Sequence, residues 1–317
     1  MPNWNQLLNE INAAGSIFDV VRRNYLRRVH ELTKRNVIVY YSAWLQKTAD
    51  PRMFGINDDD KNGFMTVVHE MDRSLGLDLI LHTPGGELAA TESIVHYLRA
   101  MFKTDMRAIV PQIALSGGTM IACACKEIVM GKQSSLGPID PQLGGVAAHG
   151  VVEEFNRAKR EIQANQAAIP VWQPILAKYQ PTLIGECEKA ITWSEEMTEE
   201  WLRTGMYAGD ADVDNTVAKV LKELGDHALT KSHDRHLAAD RCRDMGLKIV
   251  DLEKDQALQD VVLSLHHACM LTFTNSAAIK LIENHKGTAF IKLAKQIAVQ
   301  GQPPGAQKAG EPTVELV

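Results

Sequence analysis

Residues 81–145 read LHTPGGELAATESIVHYLRAMFKTDMRAIVPQIALSGGTMIACACKEIVMGKQSSLGPIDPQLGG, and the centre of this stretch, IVPQIALSGGTMIA (Ile109 to Ala122), decides the fold. One serine, Ser116, stands between a run patterned like a buried strand and a run patterned like a buried helix, with Gly117 and Gly118 directly behind it. Such an order makes the chain turn sharply at the serine. The turn is either structural or the seat of a nucleophile.

A second corner of the same kind lies upstream. LDLILHTP reads as an apolar strand, Pro84, Gly85 and Gly86 turn the chain, and a helix begins near Glu87. In an open parallel sheet both corners fall at the carboxyl ends of strands, where ligands bind. Acyl transfer by serine needs a hydroxyl at a rigid corner, two backbone N–H groups aimed at the developing oxyanion, and a base. Ser116 supplies the hydroxyl. Gly117, at a helix start, and Gly86 supply the two donors. ALSGG differs from the G-x-S-x-G elbow by Ala114 in place of the first glycine, which keeps an α/β-hydrolase open.

Around these corners strands and helices alternate. NVIVYYSA (36–43), LDLILHTP, MRAIVPQIAL and KEIVMG read as strands, and INDDDKNGFMTVVHEMDRSLG (56–76), GGELAATESIVHYLRAMF and SGGTMIACAC as helices. The alternation implies right-handed strand–helix–strand connections and a mostly parallel, buried sheet. From Val151 long polar helices take over: VVEEFNRAKREIQANQ, PTLIGECEKAITWSEEMTEEWLRTG and VDNTVAKVLKELG. They are followed by a short helix and strand in HLAADRCRDMGLKIVDL, a helix in LQDVVLSLHHACMLTF, and a hairpin turning at His285 to Gly287. The organisation expected is a helical segment over 1–36, one catalytic domain over 37–300 with a helical extension at about 151–226, and a disordered tail over 301–317.

Bulk properties narrow the function. With 317 residues, 45% hydrophobic and 23% charged, the chain can bury a substantial core. A net charge of −5 argues against nucleic acid as a partner, and the one basic stretch, 20–35, reads as a solvated helix face. The uncharged run of 18 residues between Arg107 and Lys126 carries Pro111, Ser116 and two glycines in its middle, so strand, turn and helix explain it better than a membrane span. Five cysteines form no CxxC pair, and the first residues carry no basic-then-apolar pattern, so no secretory signal is expected and a reducing, cytoplasmic setting fits. His227, His233, His236, His266 and His267 complete no ligand spacing with a carboxylate or cysteine, and neither a metal nor another cofactor is expected.

HTPGGELAATESIVHYL, ALSGGTMIACACKEIVM and SSLGPIDPQLGG together resemble the superfamily of Clp protease proteolytic subunits and signal peptide peptidases, which shares the crotonase-like fold. More narrowly, SSLGPIDPQLGG with AHGVVEEFNRAK and KYQPTLIGECEKA is similar to the serine dehydrogenase proteinase family of Clp-fold serine proteinases. The broad resemblance spans about 36–145 and the narrow one extends to about residue 293. It implies a crotonase-like (ClpP-type) α/β spiral, a serine endopeptidase with Ser116 as nucleophile, and Gly86 and Gly117 as the oxyanion hole. The chain departs from the Clp pattern at Asp140 in IDPQLGG, where Clp subunits carry the catalytic histidine, so a literal triad is not expected. Dyad members of the superfamily use a lysine near the start of the following helix. Here VAAHGVVEEFNRAK offers His149 and Lys159, with Lys178 in ILAKYQP as a third choice. His149 has uncharged neighbours and is preferred; Lys159 stands among Glu153, Glu154, Arg157, Arg160 and Glu161.

The activity expected is peptide-bond hydrolysis, ATP-independent or assisted by an unfoldase of unknown identity. The strand after Ser116's helix, with GPIDPQLGG, is expected to receive an extended polypeptide as an added strand. A homo-oligomer is expected through the helical extension and its Trp172, Trp193 and Trp201. Two other readings remain: an acyl-CoA or acyl-ester enzyme using the same two amides without serine attack, and a non-catalytic scaffold.

Overall fold

Val37, Val39 and Tyr41 point to one side of the strand NVIVYYS and Ile38 and Tyr40 to the other, and all seven residues are buried, so both its faces must be covered. The computed structural model describes residues 18–225 and 235–294, and the elements that follow are numbered within them. The strands are β1 (Asn36–Ser42), β2 (Leu77–His82), β3 (Met106–Val110), β4 (Ile113–Ala114), β5 (Glu127–Met130), β6 (Ser135–Leu136), β7 (Gln142–Leu143), β8 (Val146–Ala147), β9 (Leu237–Ala238), β10 (Ile249–Asp251), β11 (Ala278–Asn284) and β12 (Ala289–Leu293). The helices are α1 (Phe18–Thr33), α2 (Asp59–Val68), α3 (Leu88–Phe102), α4 (Gly117–Cys123), α5 (Ala148–Ala164), α6 (Ile169–Leu176), α7 (Leu183–Trp201), α8 (Val213–Gly225), α9 (Ala239–Met245) and α10 (Gln256–Asn275).

The central sheet has seven strands in the order β10-β5-β3-β2-β1-β11-β12. Pairing is parallel from β10 to β1, and the β11–β12 hairpin closes one edge antiparallel. Helices α1 and α10 cover one face through Leu26, Val29, Val262, Leu265 and Phe273. The other face is covered by α2, α3, α4 and α7 to α9, with Phe64, Ile94, Leu98, Met120, Trp201 and Val220 buried there. Ile94, Leu98 and Phe102 recur every fourth residue of α3, the spacing that keeps one helix stripe on a sheet. Strands β4, β6 and β9 form a small second sheet, and β7 and β8 a two-stranded hairpin. Helices α5 and α7 share a separate apolar cluster of Ala148, Val151 and Cys187, with Phe155 and Tyr179 against it.

The mostly parallel, two-sided sheet agrees with the alternation in the sequence, and four departures have physical causes. The helix expected over 56–76 runs only to Val68, because Glu70 adopts φ +64° and Met71 turns inward. Asp72 then accepts a hydrogen bond from the Ser74 N–H at 3.0 Å and starts a short 3₁₀ turn. MRAIVPQIAL divides at Pro111 into β3 of the large sheet and β4 of the small one, since proline cannot donate to a ladder. The third departure concerns the strand after Ser116's helix. It is β5, hydrogen-bonded to β3 on one side and β10 on the other, so no peptide can add to it. The fourth is that Trp172 and Trp201 are buried in the protomer, which leaves Trp193, 37% exposed, as the only one of the three on the surface.

The uncharged run from 108 to 125 folds as strand, turn and a two-turn helix. Among the described residues no helix is long and apolar enough to cross a membrane. All five cysteines are buried and unpaired; burial pushes the thiols of Cys125, Cys242 and Cys269 up to about 12, so none is a nucleophile at neutral pH. The expected tail over 301–317 lies outside the described residues, as do the first 17.

Candidate active site

Two chain corners meet at the carboxyl ends of β2 and β4. Thr83 N–H donates to the Ile113 carbonyl at 3.3 Å and Leu115 N–H to the Thr83 carbonyl at 3.0 Å, so the segments entering the two corners run side by side in parallel. Ser116 occupies the second corner with φ +50° and ψ −117°, a left-handed conformation that suits glycine and costs a side chain about 1–3 kcal/mol. Its strained strand-to-helix turn is similar to that of a G-x-S-x-G elbow, reached without the first glycine. The strain is held from behind. Gly118 N–H donates to Leu115 at 2.7 Å, and Thr119 Oγ1 donates to the Ala114 or Gly137 carbonyl, each 2.9 Å away, while accepting from Gly137 N–H at 3.0 Å. Ser116 is half-buried, and among the described residues its hydroxyl has no hydrogen-bond partner.

The first corner is pressed against the second. Gly85 has φ +95°, and a methyl group on it would lie 2.6 Å from Ser116 Cβ, so only glycine lets the two approach. Gly86 is pinned on its other side by Ile56, whose N–H donates to the Gly85 carbonyl at 2.7 Å and whose carbonyl accepts from Glu87 N–H at 2.9 Å. In that parallel bridge the bonds go to the residues flanking Gly86, so Gly86's own N–H faces away from Ile56. The Gly86 nitrogen lies near Gly117: a methyl group on Gly117 would lie 3.6 Å from it. Neither the Gly86 nor the Gly117 N–H has an acceptor among the described residues, and Gly86 is exposed. Two amide groups with no acceptor among the described residues therefore lie near one strained, unengaged serine. Their charge stabilisation does not depend on the α4 dipole, which is small in a helix of seven residues.

The sequence-derived base candidates lie on or just beyond the helices that follow the β7–β8 hairpin. His149 is half-buried in the first turn of α5, just after the β7–β8 hairpin, and Lys159 and Lys178 are both exposed. None is hydrogen-bonded to Ser116 among the described residues. Asp140 is buried in the segment that Thr119 ties to α4. His266 lies beneath the first corner in an aromatic layer with Tyr41, Trp44 and His82, with the Trp44 and His82 rings 4.3 Å apart. Burial pushes the imidazole of His82 well down and that of His266 to about 3, so both stay neutral at physiological pH. Among the described residues no group of three or more histidine, cysteine or acidic side chains could hold a metal ion; His227 and His233 lie outside them.

Two features of the site carry no local sequence signal. Ile56, the residue that orients Gly86, reads as the start of a helix. The buried lysines of β11 and β12, Lys280 and Lys292, read as ordinary members of a hairpin, though a lysine inside the apolar run AIKLI is the one available hint.

Comparison with known proteins adds a family. The profile of a family described as ClpP-like SDH-type serine proteinases matches residues 16–271. Two uncharacterised proteins of Methanocaldococcus jannaschii are similar to the chain. One is 29% identical over 194 residues, 61% of this chain and 59% of its own length; the other is 39% identical over 151 residues, 45% and 52% respectively. The chain thus spans little more than half the length of the curated relatives it matches.

Proposed function

Since the chain belongs to the ClpP-like SDH-type serine proteinases, we propose that it hydrolyses peptide bonds through a Ser116 acyl-enzyme. The observation that supports this reading is that the Gly86 and Gly117 amides, without acceptors among the described residues, lie near a strained Ser116. Ser116 Oγ attacks the peptide carbonyl carbon and its proton passes to a base. The carbonyl oxygen, now negative, accepts hydrogen bonds from the two amides, which are already aimed and cost no reorganisation. The base returns the proton to the leaving amine, and a water repeats the sequence on the ester.

The polypeptide lies along the segment from Gly137 to the β7–β8 hairpin. That segment packs on Leu115, since a methyl group on Gly137 would lie 2.8 Å from the Leu115 side chain, and its hairpin is a separate two-stranded sheet. The closed strand β5 takes no part. The test is casein hydrolysis by the wild-type chain beside an acyl-CoA thioester: peptide cleavage alone supports the reading, and thioester turnover that survives Ser116→Ala overturns it.

For the base we favour His149, which stands at the end of this segment, in the first turn of α5. His149→Ala is expected to lower turnover at least on the order of 10²-fold, and Lys159→Ala to change it little. The opposite pattern in steady-state kinetics would move the role to Lys159; full activity in both would move it to Lys178 or a neighbouring subunit.

The reading also includes self-association through the helical part, where Ile169, Val171 and Trp193 are exposed at 44%, 63% and 37%. Sedimentation at micromolar concentration is expected to give a species larger than the 35.1 kDa chain; a monomer alone would remove this element. A crotonase-like spiral and a catalytic domain with a helical extension over 151–226 belong to the same proposal, as does a cytoplasmic location.

A further inference from the structure

We infer that the buried charge cluster around Lys280 and Asp60 is a positioning device for the Gly86 amide, acting through residues 55–57. The inference rests on the acyl-transfer reading and adds to it the residues that aim one of its two donors. Lys280 on β11 is fully buried, and its Nζ donates to both Asp60 oxygens, at 2.6 and 2.8 Å, and to the Gly55 carbonyl at 2.6 Å. Asp60, also fully buried, accepts in addition from Tyr40 OH at 2.7 Å, Asn57 N–H at 3.1 Å and Lys292 Nζ at 2.9 Å. Lys292 reaches Asn57 Oδ1 at 3.0 Å and Asp59 at 2.9 Å.

Every bond to the backbone in this cluster lands on Gly55 or Asn57, the two neighbours of Ile56. Ile56 in turn bonds to both neighbours of Gly86. The Gly55 backbone lies against the same corner: a methyl group on Gly55 would sit 3.5 Å from the Gly85 oxygen and from Gly86 Cα. Two lysines buried with Asp60, and with the half-buried Asp59 beside them, contribute little net stability, because desolvation offsets their attraction, and an apolar core of equal volume would serve as well. What an apolar core would not do is hold a carbonyl and an amide of one loop at fixed positions.

The cluster is also titratable within reach of neutral pH. Burial, with the repulsion of Lys292, brings the Lys280 ammonium down to about 8 against the opposing pull of Asp60. The groups that face it are Asp59, Asp60, Lys292 and Tyr40, and burial beside Asp60 holds the Tyr40 phenol protonated. As pH rises through that range Lys280 loses its proton, Gly55 loses a charged donor, and the hole slackens.

The experiment combines kinetics per active serine, titrated with a fluorophosphonate, with amide hydrogen exchange. Lys280→Met, which keeps the stem and removes the charge, is expected to lower kcat per site about 10²-fold, the value of one oxyanion donor, with KM within about threefold. The falling limb of the wild-type pH profile near 8 is expected to vanish in it. Exchange at the Ile56 and Glu87 amides should rise at least about tenfold while strand β2 is unchanged. If Lys280→Met does not fold, Asp60→Asn serves instead: losing the carboxylate that raises Lys280 moves the falling limb to lower pH. A merely structural cluster would lower the active fraction and the melting temperature but leave kcat per site, the high-pH limb and the local exchange as in the wild type, and that result overturns the inference. If the wild type neither hydrolyses peptides nor labels at Ser116, the proteinase reading fails, and exchange alone decides whether the cluster positions Gly86.

Discussion

Ser116→Ala is expected to reduce peptide hydrolysis by about 10⁴-fold or more, the loss seen when a serine hydrolase keeps its binding surface and oxyanion hole but has no nucleophile. The fold should be intact, because the Ser116 hydroxyl makes no hydrogen bond to any described residue and its removal leaves no buried polar group unpaired. A second substitution at the same position separates the nucleophile from the strain that presents it. Ser116→Gly removes the hydroxyl too, but glycine accepts φ +50° without penalty, so it should be more stable than Ser116→Ala by about 1 kcal/mol. For a chain of this size that is a rise in Tm of about 2 °C, measurable by calorimetry. Equal melting of the two variants would mean the corner is not strained; activity retained in either would remove Ser116 from the reaction.

Gly86→Ala should be nearly as damaging to turnover and more damaging to stability. The added methyl group would fall 2.1 Å from the Ile56 nitrogen, 2.4 Å from its oxygen and 2.7 Å from its Cα, all backbone atoms that cannot rotate away. The corner must move, and the bonds from Ile56 N–H to Gly85 and from Glu87 N–H to Ile56 stretch or break. Loss of one aimed donor predicts a fall in kcat of about 10²–10³-fold, and the forced overpacking costs about 1–3 kcal/mol of stability. Gly185→Ala, within α7 with no atom near the new methyl group, is the control and should leave turnover unchanged. A Gly86→Ala enzyme with wild-type kcat would show that this amide does not contact the oxyanion.

The parts of this site that were legible in the sequence are those made by short segments with their own turn chemistry. TPGGE and ALSGG each carry a strand, a turn and a helix start within a few residues, and the parallel sheet implied by the alternation brings both corners to one edge. Ile56, Asp60 and Lys280 are not legible as parts of it, because their roles arise from contacts between segments as much as 232 residues apart. The run DDDK reads as the polar start of a helix, and that local reading is right: Asp60 lies in the first turn of α2 and is also the buried partner of two lysines. The helix break at Val68 is masked in the sequence because periodicity in VVHEM outweighs the Asp72–Ser74 turn signal. The closure of β5 is hidden for a different reason: KEIVMG shows that a strand exists, but nothing in it says that β10, from more than a hundred residues later, takes its free edge. The base has the weakest local signature, since a histidine in the first turn of α5, a lysine farther along it and a lysine just past α6 are distinguished only by what surrounds them in space.

The central claim is that Ser116 is the acylated residue, and the most direct measurement is the site of covalent modification. The wild-type chain is treated with a serine-directed fluorophosphonate, digested, and mapped by mass spectrometry. A single adduct on Ser116, blocked by prior peptide substrate and absent from Ser116→Ala, is the predicted result. An adduct on any other residue, or efficient casein cleavage by a chain that takes up no label, would contradict it.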